Sequence, residues 1–202
     1  TSIDAGSGTI TLTAVGVNAS NNTLRQLTTT NSSSSALVIN ALGNVAFNDT
    51  VNVTGDISVT SSGNISQTAA LTIGGASSFD TSASTGTITL TNTSNDFTGA
   101  VTLASGTGAV QIFDSATLIL ATSTTLGGNL TASADNGLTI SGDLTSTGNM
   151  TLEGDANNSS DGTDNISITS GVTLNSGGTL TMDATTGGIT AVGSAVFTAT
   201  SG

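Results

Sequence analysis

The stretch Gly142-Asp143-Leu144-Thr145-Ser146-Thr147-Gly148-Asn149-Met150-Thr151-Leu152 contains the same short phrase twice. Each copy begins with glycine and Asn or Asp, and aliphatic and small polar residues then alternate. Glycine and asparagine tolerate the backbone conformations of a tight turn. The alternation has a period of two, which places the aliphatic side chains on one face of a strand. The phrase therefore predicts a tight turn followed by a short, half-buried strand.

The same phrase recurs along the chain, at Gly43-Asn44-Val45, Gly55-Asp56-Ile57-Ser58-Val59, Gly63-Asn64-Ile65 and Gly128-Asn129-Leu130. Strand starts in the C-terminal half fall into groups of three, namely Leu130, Leu138 and Leu144, then Met150, Ile166 and Val172, then Leu180, Ile189 and Val196. This grouping predicts three short strands per coil of roughly twenty residues. About nine such coils, ~4.8 Å apart, would form a rod about 40 Å long. The predicted fold is all-β, a parallel β-helix or β-solenoid, and the alternative is an antiparallel β-sandwich.

We interpret residues 1–202 as one solenoid segment with two irregular stretches. Residues 18–35 contain Arg25 and a serine run, and the spacing of Leu24 and Leu27 suggests a short helical turn or a bulging loop. Residues 154–165 form a Gly/Asn/Ser/Asp insertion within one coil. Neither end resembles a capping repeat, so we expect a segment of a longer chain or a subunit that assembles end to end.

Composition narrows the classes of function. The net charge is −12 with a single cationic side chain, which disfavours binding to nucleic acids. No apolar run is long enough for a membrane-spanning helix. Pro, Cys, Trp, Tyr and His are absent, so most nucleophiles and general bases are missing and we expect no enzyme. The carboxylate pairs Asp135/Asp143 and Asp161/Asp164 are candidates for glycan hydrolysis, but scattered carboxylates are typical of solvated surfaces.

One acidic loop has oxygen ligands at alternate positions, as a calcium site requires. Its candidate ligands are Asp155, Asn157, Ser159, Asp161 and Asp164. The loop lacks the sixth-position glycine and the twelfth-position glutamate of an EF-hand, so the sequence favours a solvated acidic loop. We predict no catalytic or cofactor-binding residue and no cofactor, with calcium as the one alternative.

Asparagine and threonine recur in patterns with two interpretations. Several asparagines lie in N-x-S/T sequons, but the strand phrase itself generates them, so we expect stacked Asn side chains at the turns rather than glycans. Thr-x-Thr pairs could form an ice-binding array, but their spacing varies and threonine is common on outer strand faces. The sequons include Asn18, Asn48, Asn52, Asn64, Asn129, Asn149 and Asn165, and the pairs include Thr9/Thr11/Thr13, Thr85/Thr87/Thr89/Thr91 and Thr179/Thr181.

The repeated phrase, the Thr/Asn/Gly bias and the missing cysteine resemble the β-strand repeats of filamentous-haemagglutinin-like bacterial surface adhesins. Gly142 to Leu152 carries the resemblance most clearly. It implies a right-handed parallel β-helix, an extracellular or cell-surface location, and a role as shaft or contact surface. No site residue of that family can be placed on this chain.

The sequence therefore predicts a structural repeat scaffold of a bacterial cell-surface or extracellular fibre or adhesin. Its role would be adhesion, cell–cell contact or surface coating. The expected partners are other copies, in homotypic or end-to-end contacts, and glycans or proteins on host or neighbouring cells. The alternative is a solenoid that binds a ligand such as calcium, ice or a glycan.

Overall fold

A computed structural model describes residues 2–14, 21–24, 26–121, 124–159 and 164–199, and in these ranges every regular element is a strand. Sheet A contains β1 (Ile3–Asp4), β4 (Leu27–Thr29), β7 (Val51–Val53), β10 (Leu71–Ile73) and β13 (Asp96–Phe97). Sheet C contains β3 (Asn21–Leu24), β6 (Asn44–Phe47), β9 (Ile65–Gln67), β12 (Ile88–Leu90), β15 (Val110–Asp114), β18 (Leu130–Ala134), β21 (Met150–Glu153) and β24 (Leu180–Asp183).

Sheet B begins as one row of strands and divides into two. Its first row contains β2 (Ile10–Ala14), β5 (Leu37–Ala41), β8 (Ile57–Ser61), β11 (Ser77–Thr81) and β14 (Val101–Ser105). One branch then contains β16 (Leu118–Leu120), β19 (Leu138–Ile140), β22 (Ile166–Ile168) and β25 (Ile189–Ala191). The other contains β17 (Thr124–Leu126), β20 (Leu144–Ser146), β23 (Thr173–Ser176) and β26 (Val196–Ala199).

Three consecutive strands make one coil, and each strand pairs in parallel with its equivalent in the next coil. Leu130 pairs with Met150, and Met150 pairs with Leu180, as the grouping in threes predicted. Eight coils run from β1 to β24, and β25 and β26 belong to a ninth. The predicted parallel solenoid is confirmed. The alternative sandwich is wrong, because all strand pairs of the described residues are parallel and join successive coils.

The core is a set of aliphatic ladders inside the coils. In β7, Val51 and Val53 are buried while Asn52 is exposed, the pattern expected for period-two alternation. Leu71 and Ile73 of the next coil stack directly on the two valines. Three phenylalanines add volume to these ladders, and Phe79 and Phe97 meet edge to face with ring centroids 6.1 Å apart; the third is Phe47. The interior is therefore a stack of thin apolar layers, with buried aromatic rings at three of their levels.

Sheet B divides where the coil changes its register. Val101 pairs with Leu120 and Ser105 pairs with Leu126, so four residue steps on β14 face six steps in the next coil. The additional residues separate β16 from β17. The first strand of each later coil consequently stacks in line with the start of β14 rather than with β13.

The irregular stretches differ from their prediction in part. Leu24 ends β3 and Leu27 begins β4, so the predicted helical turn is wrong. The residues between β4 and β5 do form a loop. The described residues of 154–165 form no strand and lie between β21 and β22 in the chain. Arg25, Asn18 and Asp161 lie outside the described residues.

The last coils are the least covered part of the described structure. Four large apolar side chains there are substantially exposed, namely Ile189, Val192, Val196 and Phe197. In the ranges that the structure describes, no helix is long and apolar enough to cross a membrane.

Candidate functional site

The asparagine of the repeated phrase joins successive coils. Asn44 Oδ1 accepts a hydrogen bond from Asn64 N at 2.8 Å, and Asn64 Oδ1 accepts one from Thr87 N at 2.9 Å. Asn129 Oδ1 likewise accepts from Asn149 N, and Asn149 Oδ1 accepts from Thr179 N, both at 2.9 Å. The turns therefore contain asparagine ladders, as predicted, in which each side chain bonds to the backbone of the next coil.

Aspartate occupies the same role where it replaces asparagine in the phrase. Asp56 Oδ1 accepts from Ala76 N at 2.8 Å, and Asp143 Oδ1 accepts from Thr173 N at 2.8 Å. A carboxylate oxygen and an amide oxygen are both acceptors for a backbone N–H. This shared geometry explains why the phrase accepts Asn or Asp at one position.

At two copies of the phrase, Gly63 and Gly148, the glycine leaves room for the asparagine one coil earlier. A Cβ at Gly148 would meet Asn129 Oδ1, and a Cβ at Gly63 would meet Asn44 Oδ1. Gly178 has the same relationship to Asn149. Neither Gly63 nor Gly148 has positive φ, so the requirement is one of space and not of backbone conformation. Asn44, Asn129 and Asn149 therefore each face a glycine of the next coil.

Buried hydroxyls stabilise the inner side of the same turns. Ser61 Oγ donates to Gly43 O at 2.7 Å, and Ser146 Oγ donates to Gly128 O at 2.7 Å. Both serines are buried at the end of a strand of sheet B. A turn carbonyl that faces the interior is thereby paired, as buried backbone groups generally are.

The outer faces contain threonine, but its pairs do not stack. Thr11 and Thr13 pair with Val38 and Asn40 of the next coil. A single file does form at Thr131, Thr151 and Thr181 on sheet C. Two adjacent files would be needed for the flat array considered for ice binding, and the Thr-x-Thr pair on β2 is not continued in β5.

An open groove of about 380 Å³ lies on sheet A. Three of its lining residues, Thr28, Asn52 and Thr72, stack in register across three coils. Asn52 is one of the predicted sequon asparagines and is exposed here. The groove is lined by Thr28, Thr29, Thr30, Asn52, Val53, Thr54, Thr72 and Gly74.

The corner between sheet C and the first strand of the next coil contains buried polar residues that the sequence interpretation missed. Asn95 is fully buried, and its Oδ1 accepts from Leu71 N at 3.0 Å and from Gln67 Nε2 at 2.7 Å. Its Nδ2 donates to Gln67 Oε1 at 2.9 Å. No motif marks these two residues, because the amide pair joins positions 28 residues apart.

Asp114 occupies the same corner and is also fully buried. Its Oδ1 accepts from Ala116 N at 3.0 Å and its Oδ2 accepts from Phe97 N at 3.3 Å. Burial raises the pKa of Asp114 to about 6, against the opposing effect of these two hydrogen bonds. A signal did exist in the sequence, since Asp114 shares the inward parity of Val110 and Ile112.

Further carboxylates follow at this corner in later coils, and we call the set Asp114, Asp135, Glu153, Asp155, Asp164 and Asp183 the acidic corner. Ala156 N donates to Ala134 O, which sets Asp155 beside Ala134, and Ala134 pairs with Asp114. Partial burial, followed by the charges of Glu153 and Asp155, raises the pKa of Asp135. Four successive coils thus contribute carboxylates to the acidic corner, and Glu153 and Asp183 pair in register there.

The calcium candidates separate into two groups in the structure. Asp155 and Asp164 are buried and both bond to Thr186, whereas Asn157 is exposed and its Oδ1 accepts from Ser159 N at 2.9 Å. Asp161 lies outside the described residues. Within the described ranges, no group of three or more His, Cys, Asp or Glu side chains could hold a metal ion.

The carboxylate pairs considered for glycan hydrolysis are placed differently. Asp135 precedes β19 at the acidic corner, and Asp143 follows β19 at the next turn, where it bonds to Thr173 N. The structure therefore sets them at opposite ends of one strand. The Asp161/Asp164 pair includes a residue outside the described ranges.

Comparison with known proteins gives one family. A family model described as repeats of unknown function (DUF5649) matches residues 20–104, fewer than half of the 202 residues. The match extends from β3 through most of β14. Searches of curated proteins and of solved structures found no significant match. The chain is a repeat-containing β-solenoid that is similar, over residues 20–104, to this family of repeats.

Proposed function

We propose that the chain is a structural repeat scaffold of a bacterial cell-surface or extracellular fibre, acting in adhesion, cell–cell contact or surface coating. The observation that carries the proposal is the continuous inter-coil pairing, in which apolar ladders fill the interior and Ser, Thr and Asn cover the faces. Each coil contacts only its neighbours, so a chain of this kind extends in one direction as coils are added. The resemblance to bacterial surface adhesin repeats supports the location and the role.

The turns support a mechanical role. The Asn and Asp ladders add hydrogen bonds between coils at sites outside the strands, for example Asn129 to Asn149 and Asp143 to Thr173. Separation of two coils would break these bonds together with those of the strands. We propose that the solenoid can act as a shaft because the ladder bonds and the strand bonds resist the separation of two coils together.

The groove on sheet A supports a contact role. Its Thr28, Asn52 and Thr72 side chains present hydroxyl and amide groups at the regular spacing of successive coils. Glycans offer hydroxyl groups that can pair with such a row. Glycans or proteins of host or neighbouring cells, and other copies of the chain, are the partners in this proposal.

Antibody labelling of intact cells of the source organism, with matched fractionation, tests the location. The proposal expects labelling without permeabilisation and antigen in surface or medium fractions. Antigen confined to the cytosolic fraction would overturn it. Beads coated with the purified chain test adhesion: wild-type beads should bind cells or a glycan array more than beads coated with the Asn52→Ala variant or with albumin.

A further inference from the structure

Two buried carboxylates converge on one residue of the next coil. Asp155 and Asp164 are each 1% exposed. Asp155 Oδ2 accepts a hydrogen bond from Thr186 N at 2.7 Å, and Asp164 Oδ2 accepts one from Thr186 Oγ1 at 2.9 Å. Because both partners belong to Thr186, the two carboxylates meet beside this one residue of the next coil.

Each of these carboxylates has a second oxygen without a partner. Asp155 Oδ1 and Asp164 Oδ1 are buried and have no hydrogen-bond partner among the described residues. Asp114, two coils earlier, differs from this pair, because each of its carboxylate oxygens accepts a hydrogen bond from a backbone N–H. The amide of Ala116, two residues after Asp114, supplies one of those bonds. After Asp155 the chain enters the inserted loop instead, and no equivalent amide bonds to Asp155 Oδ1.

No cationic side chain among the described residues balances the charge of this pair. The chain has 13 acidic side chains and one cationic side chain, Arg25, which lies outside the described residues. Glu153 and Asp155 also lie close enough to Asp135 to raise its pKa. Buried carboxylates are normally paired with a cation or coordinate a metal, because the uncompensated charge is costly in a medium of low dielectric constant.

We propose that Asp155 Oδ1 and Asp164 Oδ1 bind a hard divalent cation of the size of calcium. The donors are carboxylate oxygens, which calcium prefers over the nitrogen and sulfur ligands of zinc or copper. Calcium takes 6–8 oxygen ligands, so backbone carbonyls and water complete the shell. With two carboxylates the site has few charged ligands, so we expect the cation to bind reversibly rather than permanently. Asn157 is not a ligand, since its Oδ1 is already bonded to Ser159 N.

The test is calorimetric titration of calcium chloride into the full chain, stripped with EDTA, in 150 mM sodium chloride, with thermal unfolding in calcium and in EDTA. We expect one saturable site per chain and a higher midpoint of unfolding in calcium. Asp155→Asn and Asp164→Asn should each weaken binding by about tenfold or more, because affinity follows the number of charged ligands. Asp80→Asn removes the same charge from the outer face of β11 and should leave binding unchanged.

Three outcomes would overturn the site. The first is a wild-type chain with no saturable calcium binding and no change in its unfolding midpoint, a result that holds even if the variants fail to fold. The second is a loss of binding in Asp80→Asn as large as in Asp164→Asn, which would indicate general attraction to an acidic surface. The third is a wild-type chain that does not bind calcium but becomes more stable at acidic pH, when the Asp164→Asn variant does not. That result would indicate a proton shared between Asp155 and Asp164.

Discussion

Asn129 Oδ1 accepts a hydrogen bond from Asn149 N at 2.9 Å, and it also occupies the space that a side chain on Gly148 would need. The side chain of Asn129 thus bonds to the backbone of the next coil at Asn149. It also leaves no room for a side chain on Gly148, the residue that precedes Asn149. The relationship makes the repeated phrase a contact between coils as well as a local turn signal. Its consequences can be measured one residue at a time.

The Asn149→Ala substitution removes the acceptor for Thr179 N. We expect it to lower the free energy of unfolding by about 1 kcal/mol, the usual net contribution of one hydrogen bond. Asn149→Asp keeps an acceptor at the same position and should cost less. Urea denaturation of both variants provides the comparison, and equal losses in the two would contradict a hydrogen-bonding role.

The Gly148→Ala substitution places a methyl group against Asn129 Oδ1. Such crowding should destabilise the chain by roughly 1–3 kcal/mol. The double variant Asn129→Ala/Gly148→Ala removes the obstructing side chain, so the two losses should not add. A double-mutant cycle measures the coupling. Strict additivity would show that the two residues do not interact.

Asp114 should make the stability of the chain depend on pH. Its folded pKa of about 6 lies above its ordinary value of 3.8, so the folded state binds the proton more tightly than the unfolded state. Stability from this group is therefore full below pH 4 and is lost as the pH rises through 6, by up to about 3 kcal/mol. The measurement is the difference in unfolding free energy between wild type and Asp114→Asn from pH 4 to pH 7. A difference that stays constant over this range would refute the prediction.

Two buried serines differ in whether their hydroxyls are bonded. Ser77 lies in the inward ladder between Ile57 and Val101, and its Oγ has no hydrogen-bond partner among the described residues. We expect Ser77→Ala to be neutral or to stabilise the chain by about 1 kcal/mol, because an unpaired buried hydroxyl is removed. Ser61→Ala is the matched control and should destabilise by a similar amount, since Ser61 Oγ donates to Gly43 O. Calorimetry measures the unfolding of both variants. A destabilised Ser77→Ala variant would show that the Ser77 hydroxyl is not unpaired.

Strands with aliphatic alternation could be predicted from local sequence. The predicted strand starts Leu130, Leu138 and Leu144 coincide with the first residues of observed strands. The strand Ser77–Thr81 was missed, because its inward residues are Ser77, Phe79 and Thr81 and only one of them is a large apolar residue. It forms because Ile57 to Thr60 and the strand Val101–Ser105 hold its backbone from both sides.

The sequence by itself determined the all-β class, the three-strand coil and the positions of the turns, because a period of two is a local property of a strand and the Gly–Asn phrase marks where strands begin. Only the tertiary structure decided which coils stack in which register, the shift at Val101 and Leu120, and the burial of Asn95 and Asp114. These features depend on contacts between residues about twenty positions apart, where an insertion of two residues moves every later strand. The same holds for Asp155 and Asp164, whose convergence on Thr186 arises only when the next coil is in place.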